Sequence, residues 1–202
     1  RRMTGKVDLL LKGGRVMDPS VGLDAHKDVA FTDGKISAIL DSNSLVEAKE
    51  VQDVSDCIVC PGLIDLHTHV YWGATGLGIN AEDIAGRSAT TTFIDAGSAG
   101  AGNFGGLKHF VADNTDLRIL GFINISFAGI CGFSKKKANL FPECEDIRLL
   151  DTDECLEAIE KYRDSIVGIK VRIGRYASGS AGMTPLQIAR EVGEETGLPL
   201  MT

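Results

Sequence analysis

Pro61-Gly62-Leu63-Ile64-Asp65-Leu66-His67-Thr68-His69 is the stretch whose reading decides the fold. Proline and glycine close what precedes, and the run after them is short, apolar and bounded by turn residues, the pattern of a buried strand. Side chains alternate along a strand, so Asp65, His67 and His69 share one face while Ile64, Leu66 and Thr68 share the other. The two imidazoles then stand about 7 Å apart along the backbone, near enough to bend toward one cation. An H-x-H pair by itself is as often structural as ligating, so its meaning depends on what else the chain carries.

The chain has 202 residues, of which 44% are hydrophobic and 24% charged, with a formal net charge of -7. That is the composition of a globular protein with material for a real core. It lacks a basic stripe, which argues against nucleic acid as a partner, and Lys135-Lys136-Lys137 reads as a solvated loop. No window approaches a membrane span and the N-terminus lacks a signal peptide's apolar centre, so a cytoplasmic location without membrane contact is expected, with homo-oligomerisation left open. Arg1 and Arg2 ahead of Met3 read as vector sequence or a fragment boundary. The five cysteines do not form a disulfide framework. Cys57-Ile58-Val59-Cys60 matches C-x-x-C but has no second pair at zinc-ribbon spacing, and core thiols are the favoured reading.

Residues 1–60 alternate short strands with polar turns: Asp8–Lys12, Arg15–Met17, Asp28–Phe31, a hairpin at Asp33-Gly34, Lys35–Ile39, and Val51–Val59. They are expected to form a small antiparallel β module, an incomplete β-sandwich. From Pro61 strands alternate with helices. Asn80 caps the first helix and Asn103 opens the second, which runs to about Asp113. Asp151 with Glu154 and Thr184 with Gln187 make capping boxes for two more helices, the last closing at Gly197. Strands are expected at Thr90–Ala96, Arg118–Phe127, Ile166–Ile173 and Leu198–Thr202, with an irregular segment over Gly129–Arg148. Such an α/β pattern gives an open doubly wound sheet or a (β/α)₈ barrel. A barrel takes about 250 residues, so residues 61–202 supply five of its eight strands, and the sequence reads as the first half of a barrel cut in strand five.

Val167-Gly168-Ile169-Lys170-Val171-Arg172-Ile173-Gly174 is the second informative stretch. The branched residues share one face, which turns Gly168, Lys170, Arg172 and Gly174 toward the barrel interior. An unpaired ammonium there costs several kcal/mol, so Lys170 must be paired, neutralised or modified. It is either a lysine bridged to a carboxylate at the strand end, or a neutral amine able to take up carbon dioxide as a carbamate with two anionic oxygens.

The opening Asp8-Leu9-Leu10-Leu11-Lys12-Gly13-Gly14-Arg15-Val16, the Pro61–His69 run, Tyr71-Trp72-Gly73, Asp95-Ala96-Gly97-Ser98-Ala99-Gly100 and Gly168-Ile169-Lys170-Val171-Arg172 together resemble the amidohydrolase superfamily. Within it they resemble the amidohydrolase/deacetylase branch related to dihydroorotases. The resemblance implies a metal-dependent hydrolase in which His67 and His69 bind one ion and an N6-carboxylated Lys170 bridges it to a second, the two divalent ions being zinc. They lower the pKa of a shared water and polarise the scissile carbonyl. Two further histidines and an aspartate of the family pattern have no counterpart before Thr202, so the truncated chain alone is expected to be inactive. Asp65 is a candidate to orient the histidines or a structural carboxylate, and Arg172 either meets a substrate carboxylate or balances interior charge. Tyr71 stands where dihydroorotases carry an arginine that holds the substrate. That favours deacetylase-like cleavage of an acylated small molecule over a cyclic amidohydrolase of the dihydroorotase or dihydropyrimidinase type.

Two other readings carry less weight. Gly100-Ala101-Gly102-Asn103-Phe104-Gly105 satisfies G-x-G-x-x-G, but the first glycine follows its strand too late and the next strand ends without a carboxylate, against a dinucleotide site. A non-catalytic scaffold relative is disfavoured by His67, His69 and Lys170 occurring together.

Overall fold

The computed structural model describes residues 6–42, 44–134 and 140–202, so the readings of Arg1–Met3 and of Lys135-Lys136-Lys137 lie outside the described residues. It divides into two compact units, Arg1–Pro61 and Gly62–Thr202.

The first unit contains β1 (Val7–Lys12), β2 (Arg15–Asp18), β3 (Leu23–Thr32), β4 (Lys35–Asp41), β5 (Ala48–Asp53) and β6 (Ile58–Val59). Asp33 and Gly34 both take positive φ, 52° and 71°, the turn that matches strand twist and returns β4 along β3. The first half of β3 pairs with β2 and the second half with β1, all antiparallel. The expected Val51–Val59 strand is two strands. Ser55 N donates to Asp53 Oδ1 and Cys57 N to the Val54 carbonyl, a turn that separates β5 from β6. These two strands join β1 and β2 in parallel. Val7, Leu10 and Ala30 form the buried centre. Cys57 and Cys60 are exposed, which corrects the core-thiol reading: they flank a two-residue strand at the end of the sheet order, too short to cover them.

The second unit is built from β7 (Leu63–Thr68), α1 (Glu82–Ser88), β8 (Thr90–Gly100), α2 (Phe104–Phe110), β9 (Arg118–Asn124), α3 (Thr152–Lys161), β10 (Ile166–Lys170), α4 (Thr184–Thr196) and β11 (Leu200–Met201). The five strands are parallel and lie in chain order, β11-β10-β9-β8-β7. Phe93, Phe104, Leu107, Ile123, Ile169 and Val192 are fully buried in the core that joins the helices to the sheet. Each contributes about 1.5–3 kcal/mol through the water it sheds. Among the described residues no helix is long and apolar enough to cross a membrane.

Helix starts follow local chemistry in part. Asp151 accepts from Glu154 N at 3.0 Å, the expected cap of α3. Thr184 makes no cap; it is already the first residue of α4, with proline in the first turn, and Gly197 closes that helix at φ 71°. Asn103 stands at the N-cap of α2, as expected, but its side chain makes no capping bond: its Oδ1 accepts from Gly100 N and its Nδ2 donates to the Ala128 carbonyl. The expected burial of the first barrel strand is corrected too. Leu63, Ile64 and Leu66 are 51%, 60% and 65% exposed, because β7 is an edge strand paired only with β8 among the described residues.

Candidate metal centre

In a parallel β/α sheet the carboxyl ends of the strands meet at one rim, and functional side chains gather there. Here that rim carries His67 and His69 from the end of β7, the Asp95–Ser98 turn of β8, Asn124 from β9 and Lys170 from β10. The chain around His69 is clamped on both sides. Thr68 Oγ1 donates to the Ile94 carbonyl at 3.0 Å, and Val70 N donates to Asp95 Oδ2 at 2.9 Å. The other carboxylate oxygen of Asp95 accepts from Ser98 N at 2.6 Å, so one fully buried carboxylate holds two backbone segments together.

The His67 and His69 rings stand edge to face, 5.8 Å between centroids. His69 Nδ1 lies 2.9 Å from Ser98 Oγ, which leaves Nε2 as its other ring nitrogen. Burial pushes the His69 pKa down; the Asp95 carboxylate opposes this, while the charges of His67, Lys170 and Arg172 add to it. The neutral ring so favoured is the form that has a lone pair to give.

Lys170 ends β10 and is 4% exposed. Its stem lies on Gly97, which has φ 83°; a β-carbon there would stand 2.5 Å from both Cβ and Cγ of the lysine. Asn124 Nδ2 donates to the Gly97 carbonyl at 3.0 Å and fixes that backbone. Burial, then the Arg172 charge, pulls the Lys170 pKa down against the pull of Glu143. Among the described residues Lys170 makes no ion pair. Arg172 Nη1 donates to Glu143 Oε1 at 3.1 Å, and burial holds the Glu143 carboxyl above its ordinary range. Lys170, Arg172, Arg175 and Tyr176 line an open cavity of about 370 Å³.

Two further residues take other places. The Tyr71 hydroxyl donates to the Asn103 carbonyl at 3.2 Å and its ring packs on the core. Its donor is spent on the backbone leading into α2. Asp65 is exposed and accepts from His67 N at 3.1 Å, a contact within the strand. Sequence reasoning missed Asp95, Ser98 and Glu143. The first two stood inside a quoted motif without a role, and Glu143 lies in the irregular segment, where no periodicity marks a buried carboxylate. The glycines of Gly100–Gly105 answer to packing: β-carbons at Gly100 and Gly102 would meet the Ser126 carbonyl at 1.9 Å and the Phe127 ring at 2.3 Å. Among the described residues no three His, Cys, Asp or Glu side chains group as metal ligands, so the candidate donor set is two imidazoles and an amine.

Five parallel strands with helical crossovers and this cluster at their carboxyl rim define a partial (β/α)₈ barrel of the metal-dependent-hydrolase class. No protein-family model matches the chain. It is similar to a deacetylase from Brucella anthropi, 34% identical over 179 residues that cover 88% of this chain and 43% of that protein. A deacetylase from Agrobacterium fabrum is 32% identical, covering 84% of this chain and 40% of its own length. The crystal structure of a dihydroorotase superposes with a TM-score of 0.85 at 29% identity, over 96% of this chain and 50% of that one. The chain belongs to the amidohydrolase superfamily, and it spans a little under half the length of the curated relatives it matches.

Proposed function

We propose that the intact protein is a metal-dependent hydrolase that opens an amide or ester bond of an acylated small molecule, a deacetylase-like reaction. The observation that carries this reading is the meeting of His69 and Lys170 on one turn of β8 at the carboxyl rim of the sheet, with His67 beside them. The donor set fits divalent ions of the zinc type. His67 and His69 offer imidazole nitrogens, and burial lowers the His69 pKa, which favours its neutral ring. Lys170, buried and without an ion pair among the described residues, is driven toward the neutral amine. That amine attacks carbon dioxide through its Nζ lone pair; the N–C bond forms, one Nζ proton leaves to water, and a carbamate results whose two oxygens suit two ions.

When bound, the ions supply an acidified water and a polarised carbonyl. The chain's own residues do the rest that lies in this half. His67 and His69 present their rings at the rim, Asp95 fixes the backbone beneath them, and the Arg172–Glu143 pair keeps the wall beside Lys170 electrically balanced. A cyclic amidohydrolase is the second reading, favoured by the superposition on a dihydroorotase. Against it stands Tyr71 with its hydroxyl engaged at Asn103.

The test is metal content by plasma mass spectrometry, together with turnover of N-acetylated amines, acetyl esters and dihydroorotate by the intact protein. Stoichiometric zinc, acetate release abolished by a chelator, and loss of both in His67→Ala are expected. Faster opening of dihydroorotate than of any acetyl compound moves the assignment to the cyclic class. Absence of bound metal and of any turnover makes the protein a scaffold.

A further inference from the structure

We propose that the Asp95-Ala96-Gly97-Ser98 turn is the shared seat of the candidate centre, a positioning element that aims both His69 and Lys170. The inference rests on the metal-binding reading and goes beyond it by naming residues that touch no ion. The two side chains come from strands that are not neighbours, β7 and β10, with β8 and β9 between them. Their common reference is this one turn. Ser98 Oγ, fully buried, stands 2.9 Å from His69 Nδ1, and Ser98 N is held at 2.6 Å by Asp95 Oδ1. The second oxygen of Asp95 takes Val70 N, so the carboxylate sets the distance between the turn and the residue after His69. In the tautomer whose Nδ1–H donates to Ser98 Oγ, the ring is fixed in rotation and Nε2 keeps its lone pair for a cation. On the other side of the turn, Gly97 leaves room for the first two carbons of the Lys170 side chain, and Asn124 pins its carbonyl.

Partners of this kind, one bond removed from a ligand, alter metal affinity about 10–100-fold when removed. The test uses cobalt(II) as probe, with affinity read by titration calorimetry and geometry by visible absorption, on the protein and on His69→Ala and Ser98→Ala. Ser98→Ala removes a single atom, and its melting temperature without metal reports any purely structural loss. The expected result is a cobalt affinity at least about tenfold weaker in Ser98→Ala, with an altered visible band and a melting temperature close to the parent's. The Gly97 side is read by carbon-13 NMR in labelled bicarbonate, where Gly97→Ala is expected to lose a carbamate signal that Ser98→Ala retains. If His69→Ala abolishes uptake while Ser98→Ala binds cobalt within twofold of the parent, the positioning role is overturned and the metal reading stands. If the parent shows no uptake that depends on His69, the metal reading itself fails and takes this inference with it.

Discussion

Replacing Gly97 by alanine is the sharpest probe of how the two halves of the rim fit. The residue sits at φ 83°, where an L side chain costs about 1–2 kcal/mol by crowding its own carbonyl. Its β-carbon would also lie 2.5 Å from Lys170 Cβ and Cγ, well inside van der Waals contact, in a region where the lysine is 4% exposed and has little space to retreat. Overpacking of this kind costs about 1–3 kcal/mol, and restricting the unfolded chain returns about 0.4–1 kcal/mol. A net loss of about 1–4.5 kcal/mol follows. Urea unfolding followed by the fluorescence of Trp72, the single tryptophan and a residue of the same unit, measures it. The steric part belongs to Lys170, so in a Lys170→Gly background the same substitution should cost only the backbone part less the same return, about 0–1.5 kcal/mol. An alanine variant within about 0.5 kcal/mol of the parent, or an equal penalty in both backgrounds, would refute the account of Gly97 as the lysine's seat.

Glu143 predicts a pH dependence. Its carboxyl is held above the ordinary 4.5 chiefly by burial, so between that value and the raised one the folded chain keeps a proton that the unfolded chain has lost. Stability therefore falls as pH rises through that window, and Glu143→Gln should flatten the slope when melting temperature is followed against pH. Alkylation with iodoacetamide at pH 8 should mark Cys57, Cys60 and Cys131, which are exposed, while burial leaves Cys144 and Cys155 unlabelled until denaturant is added, their thiols pushed up to about 11 and about 12. Peptide mass spectrometry reads the pattern, and rapid labelling of Cys155 in the native chain contradicts it. Asp95→Ala strips the partner from two backbone N–H groups beneath His69 and is expected to cost about 3–5 kcal/mol in the same urea experiment.

Much of the fold was legible because local chemistry and global architecture agree at particular residues. Asp33-Gly34 can hardly do anything but turn a hairpin, Asp151 had an amide three residues on to accept from, and Gly197 stood where a helix needs a left-handed residue. Misreadings came where a residue's partner is distant in the chain. Thr184 carried a capping pattern, but the residues before it begin the turn one position early. The Cys57–Cys60 pair looked like core because its neighbours are apolar, yet the strand between them is too short and too marginal in the sheet to bury anything. Spacing and resemblance single out the histidines and the lysine as candidates; they do not single out Ser98 and Asp95, whose contacts reach back to His69 and Val70. The bond from Tyr71 to the Asn103 carbonyl is of the same kind, its partner being distant in the chain.

Because the parallel sheet of the second unit is arranged in chain order, each strand finds its neighbour in the segment made just before it. Assembly can advance one β/α step at a time as the polypeptide emerges, each loop closed being short and its entropy modest. The same order leaves the first-made strand, with Leu63, Ile64 and Leu66 turned to water, as a sticky flank during synthesis. Until something covers it, that flank offers unpaired strand groups and apolar side chains to other nascent chains, the condition that favours edge-to-edge aggregation.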